Sequence, residues 1–373
     1  MAAATAKRYP HEPDYIVAPG EVLQETIDAL GMTQADLAKR TGLSKKTVNQ
    51  IMQGREPLSH VTALRLERVV GVPARFWNTL EATYRERLAR REEKVGLSQD
   101  LGWMKTIPTK ELVRRGRIQG RDDPVALLQA VLAFFGVNSA REWKAVWASP
   151  QVAFRRSQVF KSHPGAVAAW LRLGELEGQR LECQAYDKDR FREALEEIRR
   201  LTVEGPEIFE PRMREACAAA GVAVVFTPEI QGAPVCGATQ WLTPDKALLQ
   251  LSLRFKSNDH FWFSFFHEAG HILKHGKKEK FVEGGGDQDA KEEEANRFAE
   301  DFLIPRDRAE ELAQLCNREQ IIAFAGSVGV APGIVLGQLQ KMGVIDYQCA
   351  YNHLKDRLQW SQGADGVVKI TRL

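Results

Sequence analysis

The densest chemistry in the chain is the run His267, Glu268, Ala269, Gly270, His271. Two histidines four positions apart on a helix share one face about 6 Å apart along the axis, so both imidazoles can bind a single Zn²⁺ at about 2.0–2.1 Å. Glu268 lies one position further round, suited to a water on such a metal rather than to the metal itself. A carboxylate there can take the water's proton for amide hydrolysis. A third protein ligand has to come from elsewhere. The run Lys291, Glu292, Glu293, Glu294, Ala295, Asn296 offers carboxylates. With a core face set by Ala295, Phe298, Ala299 and Phe302, Glu293 points nearly opposite the core, and Glu292 and Glu294 flank it on either side. At about 100° per residue these two stay tied. His260 and His275 fall on the stripe of the pair but one or two turns away, and read as helix-end or supporting residues.

The elements that must position these groups follow from pattern. A long helix begins near Ser257, Asn258 or Asp259 and runs to about His275 before Gly276, and its flanks Phe261, Trp262, Phe263, Phe265, Phe266, Ile272 and Leu273 mark it as buried nearly all round. Imidazoles and a carboxylate in such surroundings need partners. Upstream, Val222 to Phe226, Val235 to Leu242 and Lys246 to Leu253 read as a small antiparallel sheet. As an edge strand, Lys246 to Leu253 could hold an extended peptide by main-chain pairing; otherwise it is a core strand. Arg254 suits a substrate carbonyl, an acidic group or a buried carboxylate, and Cys236 reads as a packed thiol. Glu283 to Asp289, with three consecutive glycines, is a loop, and helix resumes from Ala290 to Leu303 ahead of Pro305.

The amino-terminal part carries a different chemistry. Val22, Leu23, Ile27 and Leu30 have helical spacing closed by Gly31. Thr33 caps a helix over Gln34 to Arg40, Thr41-Gly42-Leu43 make a turn, and Ser44 caps a third helix to about Met52. Helix, tight turn, helix is the helix-turn-helix layout. Between Gly31 and Arg68 seven cationic residues stand against three anionic ones, a basic surface in a chain whose net charge is only +3. Further helices cover His60 to Val70 and Ala74 to about Lys94.

With 373 residues, 44% hydrophobic and 27% charged, the chain has material for two or three packed domains, and wholesale disorder is excluded. No run approaches the roughly 18 apolar residues of a membrane span, and the start MAAATAKRYP lacks an apolar leader, so the expectation is a cytoplasmic protein without a membrane partner. Five scattered cysteines without a CxxC pair argue against a disulfide framework or a cysteine zinc cage. The expected fold is α+β and multidomain, mostly α: a helix-turn-helix domain and connector over 1–95, a helical middle region over 96–205, and a zincin-like domain over 206–373. Trp143, Trp147 and Trp170 in the middle region read as helix packing. Ile321 to Val328 and Pro332 to Met342 imitate a second helix-turn-helix but lack a basic face, and Gly366 to Arg372 suggests a final strand.

From Leu248 to Tyr347 the chain resembles the ImmA/IrrE family of bacterial zinc metallopeptidases, through LSLRFKSNDHFWF, HEAGH, EEEANRFAEDFLIP and GIVLGQLQKMGVI. The resemblance implies one Zn²⁺ per chain held by His267, His271 and Glu294, the glutamate immediately before Ala295 and Asn296, with Glu292 in reserve and Glu268 catalytic. It also implies a protein substrate, a repressor of the helix-turn-helix type. Residues 19–77 resemble Cro/repressor-type domains as found in HigA-like antitoxins, which implies binding of double-stranded DNA by a homodimer on paired half-sites, with Gln34 meeting phosphate, Lys45, Lys46, Thr47 and Asn49 facing the major groove, and Leu37, Ala38, Val48 and Ile51 as core. The alternative is a regulator or antitoxin whose metal domain senses a ligand or binds a partner and cuts nothing.

Overall fold

The computed structural model describes residues 17–147, 164–277, 281–283, 290–362 and 368–373. The chain divides into two compact units at Gln99/Asp100.

The first unit is all helical: α1 (Pro19–Ala29), α2 (Gln34–Thr41), α3 (Lys45–Met52), α4 (His60–Val70) and α5 (Ala74–Leu97). Local signals start its short helices. Thr33 and Asp36 form a reciprocal capping box at α2, the Asp36 amide donating to Thr33 Oγ1 at 3.1 Å and the Thr33 amide to Asp36 Oδ2 at 3.2 Å. Ser44 Oγ accepts from the Thr47 amide at 3.0 Å to begin α3. Arg65 Nη1 of α4 donates to the Gly42 carbonyl at 3.4 Å, tying down the turn between α2 and α3. Leu23, Ile27, Leu37, Val48, Ile51, Leu66 and Trp77 close a single core.

The second unit contains the helices α6 (Leu101–Met104), α7 (Thr109–Arg114), α8 (Pro124–Phe135), α9 (Ala140–Trp147), α10 (Pro164–Arg180), α11 (Lys188–Arg200) and α12 (Pro206–Ala219). After them come β1 (Val222–Phe226), β2 (Gly237–Thr243), β3 (Lys246–Leu251), α13 (Asn258–Lys274), β4 (Phe281–Glu283) and α14 (Ala290–Leu303). The chain closes with α15 (Ala309–Leu312), α16 (Arg318–Val328), α17 (Pro332–Lys341), β5 (Leu358–Gln362) and β6 (Val368–Arg372). The stretch set apart in the sequence as a helical middle region does not pack alone. Leu112, Phe135, Trp143, Trp147 and Trp170 share a core with Ile230, Val235 and Ala238 from the sheet region. Trp143 and Trp147 are 3% exposed and Trp170 0%, so these rings are packing residues. The segment Pro124–Trp147 is long and apolar enough to cross a bilayer by length and composition, an exception to the expectation that no run approaches this, but its apolar side chains are core here.

Strand order in the larger sheet is β1-β3-β2-β4. The sheet is mixed, not wholly antiparallel as expected: β1 runs parallel to β3 with Val222 opposite Ala247 and Phe226 opposite Leu251, and β2 is antiparallel to both β3 and β4. The strand expected at an edge, Lys246 to Leu253, therefore sits in the middle, its main chain paired on both sides. Its composition explains the position. VAVVF and ALLQL are continuously apolar apart from Gln250 because both faces are covered. Val224, Phe226, Leu249 and Leu251 face the cluster containing α13, whereas Gln250 on the opposite face donates from Nε2 to the Trp170 carbonyl of α10 at 2.8 Å. The final strand expected from Gly366 is β6, and it pairs with β5, which sequence pattern did not show. The α16–Gly329–α17 pair carries no basic face and buries Ile321, Phe324, Leu336 and Leu339 in the core of α13.

Candidate metal centre

Helix α13 is buried along almost its whole length, and its second half carries His267, Glu268 and His271, which are 1%, 0% and 2% exposed. Helix α14 crosses it at Gly270. A Cβ there would stand 3.0 Å from Phe298 Cδ1 and 3.3 Å from Ala295 Cα, so the absence of a side chain lets the helices approach closely enough for α14 to reach the histidines. The carboxylate that arrives is Glu292. Its Oε2 lies 3.2 Å from His267 Nε2 and its Oε1 3.4 Å from His271 Nε2, while the two Nε2 atoms are 3.0 Å apart. Among the described residues, these three bring their donor atoms within 4.8 Å of one another, close enough to hold a single metal ion.

The expectation for Glu294 is corrected by this crossing. Two positions on from Glu292, it is turned about 200° around the helix, and its carboxylate meets His275 Nε2 at 3.3 Å and Lys274 Nζ at 3.9 Å. Glu292 instead shares a face with Asn296 four residues later, whose Oδ1 lies 2.9 Å from His267 Nδ1. His275 is placed to orient the second histidine, its Nδ1 lying 2.9 Å from His271 Nδ1. Each of the two histidines thus has its Nδ1 engaged and its Nε2 aimed at the shared point, an arrangement of the kind by which outer residues fix a metal-binding imidazole. Phe281 of β4 stacks on His271 with ring centroids 4.0 Å apart.

Charge supports the same grouping. Burial pushes His271 down to about 4, so it is neutral near pH 7. Burial alone would raise the Glu292 carboxyl, but hydrogen bonding to His267 and His271 outweighs it and holds the group at about 2, ionised. Two imidazole nitrogens and one carboxylate are a donor set suited to Zn²⁺, of the type that catalytic sites use when a further position is left for water or substrate. The side chains present therefore fit the ion.

Glu268 faces β2. Thr239 Oγ1 donates to its Oε2 at 2.5 Å, and a Cβ on Gly237 would come within 2.7 Å of its Cγ, so a glycine at the start of β2 makes room for the carboxylate. Thr239 and Gly237 were missed in the sequence because only strand pairing brings them to α13. Asn296 could have been found, being four positions after Glu292 in the same quoted run. His260 stacks on Phe255 and stands away from the cluster. Arg254 donates from Nη1 to the Pro234 carbonyl at 2.6 Å, and Cys236 is buried at the head of β2.

In the first unit Lys45, Lys46 and Asn49 project from α3 into solvent, and Thr47 is half-buried with its hydroxyl 3.0 Å from Ser44 Oγ. Gln34 at the start of α2 donates from Nε2 to Gln24 Oε1 at 2.8 Å. The structure thus brings Lys45, Lys46 and Asn49 onto one exposed helix and leaves Gln34 braced against α1.

Comparison with known families agrees with this division. Residues 23–77 match the family model described as helix-turn-helix, and residues 219–325 match the model described as IrrE N-terminal-like domain. The chain thus carries a helix-turn-helix domain of the transcription-regulator kind followed by an IrrE N-terminal-like domain, with a metallopeptidase-like fold that includes His267, Glu268, His271 and Glu292. Over 81 residues, 22% of this chain and 84% of the relative, it is 26% identical to the uncharacterized HTH-type transcriptional regulator YddM of Escherichia coli (strain K12). It is 29% identical over 79 residues, 21% of this chain and 73% of the relative, to virulence-associated protein I of Dichelobacter nodosus. An addiction module antidote protein of a HigA family from Coxiella burnetii is similar at 28% identity and a TM-score of 0.21, covering 23% of this chain and 94% of that one.

Proposed function

We propose that the protein is a DNA-binding zinc metallopeptidase that hydrolyses a partner regulatory protein, a helix-turn-helix repressor, and so controls transcription. The observation that carries this reading is the convergence of His267 Nε2, His271 Nε2 and the Glu292 carboxylate beside a fully buried Glu268. Zn²⁺ held by the three ligands would polarise the scissile carbonyl and acidify water. Glu268 then takes the proton of the attacking water at a carboxylate oxygen and passes it to the leaving nitrogen, with Thr239 Oγ1 orienting the other oxygen. The strand that suits an extended substrate is β4 rather than β3. Among the described residues β4 pairs only with β2, and its Phe281 stacks on His271, so a peptide added to that edge would run beside the metal ligands. Lys45, Lys46, Thr47 and Asn49, with Gln34, would contact DNA as a homodimer on paired half-sites.

A second reading, a non-proteolytic regulator or antitoxin whose metal domain senses or binds a partner, draws on one feature: Glu268 is 0% exposed and already held by Thr239. The Glu268→Gln variant separates the two. Under the peptidase reading it keeps zinc and loses cleavage of a co-expressed candidate repressor by at least about 100-fold, the scale expected when general-base assistance is removed. Cells whose regulation is unchanged by the substitution would make the sensing role the better description.

A further inference from the structure

A cavity of about 530 Å³ lies in the second unit, away from the metal ligands, where the end of α7, α10, the end of β1 and strands β5 and β6 come together. Its lining is strongly cationic. Arg114, Arg115, Arg117 and Arg180 contribute guanidinium groups against one carboxylate, Glu177.

Two of the four arginines build the wall. Arg114 and Arg115 both bind Glu111 at 2.6 Å, and Arg115 also donates to the carbonyls of Pro228 at 3.0 Å and Glu229 at 2.6 Å, fixing the turn that follows β1. Thr227 beside it accepts from Trp170 Nε1 and Gln250 Nε2 at 3.1 and 2.9 Å. Trp360 of β5 is held by an Nε1 bond to Glu229 Oε2 at 2.9 Å. The other two, Arg117 and Arg180, are exposed and have no ion-pair partner among the described residues. They face Glu177 together with Arg214, but at a range that does not offset the burial raising the Glu177 carboxyl.

A prearranged concave wall with two uncommitted guanidinium groups suits a phosphate, because planar forked donors match its oxygens and the walls concentrate the field. An indole beside them suits a flat ring, and a half-buried carboxylate suits a hydroxyl or amino donor on the same molecule. The volume lies within the usual range for small-molecule sites and is too confined for a duplex. We propose that this cavity binds a small phosphorylated ligand of nucleotide size, its phosphate on Arg117 and Arg180 and its planar part against Trp360. The site is independent of the peptidase reading, since it uses none of the metal-centre residues.

Titration calorimetry on the full chain tests it, with AMP, adenosine and inorganic phosphate as separate probes. The expected result is that AMP binds more tightly than either fragment and weakens as salt rises. Arg117→Gln/Arg180→Gln should weaken AMP at least about tenfold, and Trp360→Leu by severalfold, with thermal melting unchanged for the arginine pair on the surface. Lys45→Ala/Lys46→Ala, on the exposed face of the first unit, should leave AMP binding as in the unsubstituted chain. No heat from AMP at millimolar concentration, or AMP binding lost only in the lysine variant, would overturn the proposal. So would a short RNA that binds through Arg117 and Arg180 when AMP does not. Phosphate binding as tightly as AMP, with Trp360→Leu silent, would overturn the assignment of the planar part.

Discussion

The two units present their functional side chains in opposite ways. On α3 of the first unit Lys45, Lys46 and Asn49 stand in solvent while Val48 and Ile51 face inward, so one short helix separates work from packing by side. On α13 of the second unit His267, Glu268 and His271 are themselves buried, and the helix has no side to spare. A surface residue of the first kind can be exchanged without disturbing the fold. A buried polar group of the second kind must be satisfied by its neighbours, so each one recruits a supporting residue: Asn296 for His267, His275 for His271, Thr239 for Glu268. What the comparison teaches is that the metal centre should be sensitive to residues that touch no metal, and the DNA face should not.

The largest effect separates two glutamates two positions apart. Glu292→Ala should abolish stoichiometric zinc in the purified protein, as should His267→Ala, while Glu294→Ala retains it; elemental analysis reads the result. Zinc lost with Glu294 and kept without Glu292 would mean that α14 is turned differently against α13 in the loaded protein. Next come substitutions that contrast packing with presentation in the first unit. Trp77 is 0% exposed, and Trp77→Ala should cost about 3–5 kcal/mol in denaturant melts. Lys46→Ala should change stability by no more than about 0.5 kcal/mol. It should nevertheless lower DNA affinity and reduce the salt slope of binding by about 1. If Lys46→Ala destabilised the fold as Trp77→Ala does, the division of α3 into two sides would fail.

Legibility in the sequence follows the same line. Caps and turns are local, so Thr33, Ser44 and the Gly42 turn could be read directly, and the spacing of His267 and His271 needed only a helix. What depends on the crossing of elements could not. Glu292 and Glu294 flank the core face of α14 equally, and the choice between them is made by where Ala295 meets Gly270. Continuous apolar strands such as VAVVF and ALLQL declare that both faces are covered, but not which neighbours cover them, so the central place of β3 and the parallel pairing of β1 were hidden. LQWSQ of β5 has too little alternation to announce a strand. The helices before residue 181 were legible as helices, yet their partner was not, because the core of Trp170 and Phe135 is completed by Ile230, Ala233, Val235 and Ala238 of the distant sheet region.

Supporting residues should produce intermediate effects. Asn296→Ala removes the group at His267 Nδ1 while leaving all three ligands, and zinc affinity measured by competition with a chelator should fall about 10–100-fold. The same measurement on an Asn49→Ala protein should show no change, since α3 lies in the other unit and its exposed residues support nothing. An unaltered affinity for Asn296→Ala would show that burial alone orients the ring.

The smallest expected effect concerns how each functional helix begins. Helix α3 has eight residues and little burial, so its first turn depends on the Ser44 side chain that accepts from the Thr47 amide. Ser44→Ala should cost about 1 kcal/mol, which lowers the protection of the Thr47 amide against hydrogen exchange about fivefold. Helix α13 also begins at a serine, Ser257, but this one makes no side-chain cap bond; the Asn258 amide donates instead to the Asp356 carbonyl at 3.0 Å, and the helix is buried along almost its whole length. Ser257→Ala should therefore leave exchange in the first turn of α13 within about a factor of two of the unsubstituted chain. Equal sensitivity of the two helices would mean that α13 owes its start to local capping, and the contrast between a helix begun by its own sequence and one held by its surroundings would not stand.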